Sequence, residues 1–128
     1  MVGKLEKTIE KYGHRGLPIK ISGELTSQLD IRDALADIIC EVADVAISHG
    51  NVTNMDVEVH KGEYATDIFI KNDGEQLTIN SLENRINKMK QRASKIRGTI
   101  IIRDEQPFII HLKVAHIMFC KRNPFMKA

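Results

Sequence analysis

The chain has 128 residues and a formal net charge of +2, with 42% hydrophobic and 28% charged residues, the balance of one soluble globular domain and not of a disordered chain. At this length folding buries roughly two thirds of the surface the unfolded chain exposes, so no covalent or metal staple is needed. No apolar run approaches the roughly 18 residues of a membrane span, and MVGKLEKTIEKYG lacks the apolar core of a signal peptide. Cys40 and Cys120 belong to no CxxC or Cys/His ligand set, which fits a reduced compartment and makes a cytoplasmic domain the default expectation.

A short, charged helix is expected over about residues 3 to 12, followed by His14 in a linker beside glycines. LPIKISGEL (17–25) alternates apolar and polar residues and ends at Gly23, which reads as a short strand. From Ile31, apolar residues recur at Ala34, Leu35, Ile38, Ile39, Val42, Ala43, Val45 and Ala46, the set of a buried helix face. Asp30 is placed to cap this helix, Asp33 to favour its positive end and Gly50 to close it. NMDVEVH (54–60) and ATDIFIK (65–71), joined by KGEY, predict an antiparallel hairpin.

After Asn72-Asp73-Gly74 comes a polar loop, EQLTIN, and then a second amphipathic helix. Leu82, Ile86, Met89, Ala93 and Ile96 line it, Ser81 or Asn80 caps it and Gly98 stops it. TIIIR (99–103) and FIIHLKV (108–114) form a closing hairpin. Arg85, Lys88, Lys90, Arg92, Lys95 and Arg97 fall between residues 85 and 97 with no acid among them. This run reads as a solvated helix face, with an anion site as the alternative. A nucleic-acid surface is the weaker version because no aromatic residues interleave for stacking. Helices segregated from hairpin-connected strands mean an α+β fold with the helices on one face of the sheet. The tail AHIMFCKRNPFMKA carries an apolar knot (Ile117, Met118, Phe119, Phe125), expected to fold back or to dock a partner.

Four stretches in this order resemble the ATP-binding domain of sensor histidine kinases, the GHKL ATPase fold, in the branch that includes nitrate- and lipid-responsive sensors. GLPIKISGEL looks like the branch's first strand, and EVADVAISHG resembles the N box, a helix with the pattern Glu-x-x-x-Asn and a His four residues on. IKNDG stands at the Asp-x-Gly loop, and MKQRASKIRGTIIIRDEQPFIIHLKV looks like the closing section led by Met-x-x-Arg. The resemblance implies a two-layer α/β sandwich with a mixed sheet and about three helices on one face. It divides the chain into an N-terminal helix and linker (1–15), an ATPase-like domain (16–115) and a tail (116–128). It also implies ATP and Mg²⁺ as ligands, a phosphoacceptor His on a dimerisation domain upstream, and a response regulator as partner. Neither nucleic acid nor membrane contact is expected of this segment.

Residue by residue, the resemblance points to Glu41 as the catalytic acid of the N box and His49 as its histidine. Asn72, Asp73 and Gly74 fall on the adenine-reading loop, and Arg85 and Lys88 on the glycine positions of the phosphate loop. Three departures stand out. The N-box Asn that would ligate Mg²⁺ is Val45, which offers no lone pair, and Asp44 is rotated about 100° from that position on the helix. The adenine-reading acid is Asn72, which keeps an acceptor oxygen but not the charge, while a shift by one residue would substitute Asp73 and misplace Gly74. No glycine occurs between Gly74 and Gly98, so the backbone amides that cradle phosphate in the family are obstructed by side chains, although Arg85 and Lys88 could hold phosphate themselves.

The expectation is an ATP-binding and catalytic domain of a two-component sensor kinase with nucleotide binding weakened or lost. The alternatives are a non-catalytic interaction module of the same fold and a small basic nucleic-acid-binding domain. The missing phosphoacceptor suggests an excised piece of a larger protein, membrane anchoring of the parent being one possibility.

Overall fold

The computed structural model describes residues 3–49, 52–73, 83–103 and 109–116. The elements follow in the order α1 (Lys4–His14), β1 (Ile19–Ser22), α2 (Leu29–His49), β2 (Met55–Lys61), β3 (Ala65–Asn72), α3 (Glu83–Ser94), β4 (Gly98–Arg103) and β5 (Ile109–Ala115). The helix–strand–helix–hairpin–helix–hairpin succession read from periodicity is therefore observed. The strands form one five-stranded sheet in the order β1-β2-β3-β5-β4. Only β1 and β2 are parallel, with Ile19 opposite Met55, and α2 makes the long connection that parallel neighbours require. The other three pairings are antiparallel, so the sheet is mixed and the fold α+β.

Strand alternation decides which face is covered. Met55, Val57 and Val59 of β2, Ile68 and Ile70 of β3, and Ile110, Leu112 and Val114 of β5 are buried on one side. They share a core with Leu35, Ile38, Ile39 and Val42 of α2, all fully buried, and with Met89 and Ala93 of α3. The short charged helix α1 contributes Leu5 and Tyr12 to the same core. The opposite face is the solvated side of a two-layer fold. It carries a Glu58–Lys71 ion pair and Phe69 stacked on His111, whose Nε2 lies 2.7 Å from Asp67.

Several boundaries differ from the sequence expectation, for local reasons. β1 covers only Ile19–Ser22 because Gly23, at φ +93°, turns the chain out of extended conformation. α2 begins at Leu29, with Arg32 N–H donating to Gln28 O at 3.1 Å, so Asp30 sits inside the first turn and is not its cap. His14 is the last residue of α1 and no linker histidine. α3 ends at Ser94, four residues before Gly98, which instead opens β4. The left-handed turn that releases the chain falls on Arg97, at φ +62°. The expected caps Asn80 and Ser81, Leu82 and the closing Gly50 lie outside the described residues. No helix among the described residues is long and apolar enough to cross a membrane.

Candidate functional site

Pairing of Met55 with Asn72 and of Lys61 with Thr66 defines two ends of the sheet. α2 runs from the Lys61 end to the Asn72 end and α3 runs back, since Arg92 meets Asp37 and Arg85 meets Glu41. The Asn72 end therefore collects most of the residues singled out from sequence: Glu41, Val45, Asn72, Asp73 and Arg85. Gly74 and the His49 side chain lie outside the described residues. Lys88 is an exposed residue of α3.

Asp37, Glu41 and Asp44 follow at i, i+4 and i+7, so one stripe of α2 is acidic. Each carboxylate is engaged. Arg85 Nη1 donates to Glu41 Oε1 at 3.0 Å and lies 3.9 Å from Asp44 Oδ2. Tyr12, its ring fully buried, donates its hydroxyl to Asp44 Oδ1 at 2.5 Å. Burial, then the Asp44 hydrogen bond, hold this phenol protonated far above its ordinary range. Asp37 receives Lys4 at 2.6 Å and Arg92 Nε at 2.5 Å. Partial burial works to raise the Asp37 pKa, but the two cationic hydrogen bonds outweigh it and keep the carboxyl below its usual value. A salt-bridged seam thus ties α1 and α3 to α2. Each half-exposed pair contributes at most about 1 kcal/mol, so the seam fixes orientation more than it adds stability.

The seam determines what Glu41 and Arg85 can do. A guanidinium set between two carboxylates meets a nucleotide triphosphate with its charge already balanced. Glu83 places a further acid in the first turn of α3, where a phosphate would otherwise gain from the helix dipole. The run of cations between residues 85 and 97 is divided: Arg85 and Arg92 face the acids of α2, and Lys88 and Lys90 are exposed.

Asn72 is buried on the helical side at the end of β3. Asp73 turns elsewhere. Its Oδ1 accepts the backbone N–H groups of Thr53 at 2.8 Å and Asn54 at 3.0 Å, and its Oδ2 accepts the Thr53 hydroxyl. The Thr53 hydroxyl, and after it the Asn54 and Thr53 amides, pull the Asp73 pKa down to about 2. The acid that a one-residue shift would have offered to adenine is taken up in tying the start of β2 to the end of β3. Sequence reading missed this role, although Asp after a strand is a frequent side-chain-to-backbone capping signal.

Mg²⁺ requires several oxygen ligands in near-octahedral order. Val45 supplies none and is buried, and Glu41 faces Arg85. These residues do not fit a bound Mg²⁺. Among the described residues no group of three or more His, Cys, Asp or Glu could hold a metal ion.

No protein-family model matches the sequence, and no curated protein matches it. Solved structures do. The ATP-binding domain of PrrB from Mycobacterium tuberculosis superposes with a TM-score of 0.70 at 13% identity, covering 90% of this chain and 93% of that one. The mycobacterial sensor histidine kinase MprB gives 0.61 at 12% identity, covering 88% and 91%. The histidine kinase AdeS of Acinetobacter baumannii gives 0.63 at 12% identity, and this chain spans 62% of that chain's length. At such identities the likeness is one of fold. The chain has the GHKL ATPase fold found in the ATP-binding domains of sensor histidine kinases.

Proposed function

We propose that this chain is the ATPase-like domain of a two-component sensor protein in which ATP binding is weakened or lost. The observation that carries the reading is the Arg85–Glu41 ion pair beside Val45. On this reading a side chain at the phosphate-loop position is held by the N-box acid, one helical turn from a residue whose side chain cannot ligate Mg²⁺. Asn72 is the remaining adenine contact, and Glu41 the catalytic acid only where Arg85 has released it. In the parent protein the domain works on the cytoplasmic side, with a phosphoacceptor His domain and a response regulator as partners. The same features support its use as an interaction module.

Thermal unfolding with and without Mg-ATP tests this. A working site with a Kd a hundredfold below the nucleotide concentration would add about 2.7 kcal/mol of stability, a rise of several degrees. The expected result is an unchanged midpoint at millimolar nucleotide. A saturable rise would overturn the loss of binding and restore the catalytic reading.

A further inference from the structure

A cavity of about 510 Å³ lies at the other end of the sheet from Asn72. It opens between the loop after β1, the first turn of α2, the end of α3 and the ends of β2 and β5. Its volume falls within the range of small-molecule sites. Leu25, Ile31, Ile68 and Ile96 supply an apolar wall, while Lys61, Lys95 and Arg97 stand around it. Among the described residues none of these three cations is in an ion pair, unlike Arg85 and Arg92 on the same face of α3.

Two further features mark this end. Arg97 occupies the left-handed region at φ +62°, where glycine is the usual residue, and its carbonyl accepts the Ala115 N–H at 3.1 Å. An arginine that lines the cavity is thus held in a conformation that costs backbone strain, a pattern associated with binding sites. Leu29 and Tyr64, two of the large exposed apolar side chains, are joined to lining residues through the backbone: Leu29 lies between Gln28 and Asp30, and the Tyr64 carbonyl accepts the N–H of His116.

We infer that this cavity binds a small amphipathic monoanion, a carboxylate carried on an apolar body. The apolar wall takes the body, and the unpaired cations take the head group. Glu24 and Asp30 also line the cavity. Three cations against two acids leave an excess of one, which matches a single negative charge and leaves the second charge of a phosphate dianion uncompensated once it is taken from water. The inference is independent of whether ATP binds at the Asn72 end.

Octanoate is a direct probe, followed by amide chemical shifts of the whole chain. The expected result is saturable binding at millimolar concentration, with shifts centred on residues 24–31, Lys61, Thr66, 95–97 and 114–116. Octyltrimethylammonium should not bind, and octyl phosphate should bind more weakly than octanoate. Lys61→Ala combined with Lys95→Ala, both on exposed side chains, should weaken octanoate at least fivefold without lowering the melting point. Arg97→Gly separates binding from folding: it relieves the backbone, so the midpoint should rise by a few degrees while octanoate affinity falls. No saturable shift, shifts centred elsewhere, equal binding of the cation or unchanged affinity in the variants would overturn the site. Tighter binding of octyl phosphate would overturn the monoanion assignment.

Discussion

Gly23→Ala is expected to destabilise the fold by about 3 kcal/mol or more, lowering the melting point by about 10 °C or more. Gly23 has φ +93°, a conformation that L side chains rarely adopt, and this alone costs about 1–2 kcal/mol. A Cβ would then lie 2.1 Å from Val59 O and 3.0 Å from its carbonyl carbon. Both are backbone atoms of β2, paired with Ile68 on the next strand, so they cannot yield as a flexible side chain would. The strand must shift, carrying with it the loop that opens the cavity. Gly13→Ala is the matched control. Gly13 is inside α1, nothing lies within 4 Å of its hypothetical Cβ, and alanine there should stabilise by about 0.5–1 kcal/mol. Urea unfolding of both variants checks the pair; equal stabilities would contradict the packing of the β1 turn against Val59.

Asp73→Ala is expected to lose about 1–2 kcal/mol, the scale of a lost cap with two backbone donors. The loss should depend on pH in a defined direction. The Asp73 pKa is depressed to about 2 in the folded protein, from an ordinary value near 3.8. A depressed carboxyl stabilises the fold above its unfolded pKa and releases that contribution as pH falls through the folded value. The difference between wild type and Asp73→Ala should therefore be full above pH about 4 and shrink toward pH about 2. Asp73 is exposed and solvent screens it, so the hydrogen bonds set the magnitude rather than the shift. Urea midpoints measured from pH 2 to 7 test it. A variant as stable as wild type at neutral pH would show that Asp73 does not hold the start of β2 to the end of β3.

Not every departure carried the same weight in sequence as in space. Val45 could be judged from residue type alone, because no surroundings give valine a lone pair. Arg85 could not. From sequence its guanidinium could have held an anion or been held by an acid, and its contact with Glu41, 44 positions away, settles where the guanidinium goes. The structural role of Asp73 was illegible for a similar reason: its partners Thr53 and Asn54 come next to it only when β2 pairs with β3. Lys61, Lys95 and Arg97 drew no attention as a group, since two sat in a helical charge run and the third in a hairpin. They line one cavity because the end of β2 and the α3–β4 connection fall on the same side of the sheet.

The sequence by itself determined the element order, the covered face of the sheet and the absence of a side-chain oxygen at Val45. Periods of 2 and 3.6 residues and the chemistry of a single side chain are local properties, written in neighbouring positions. Helix ends were less legible, because Arg97 takes a left-handed turn that propensity assigns to Gly98. The tertiary structure alone decided which charges neutralise one another and which stay unpaired around the cavity. Those outcomes depend on the strand order β1-β2-β3-β5-β4 and the antiparallel course of α2 and α3, which bring distant residues within hydrogen-bonding range.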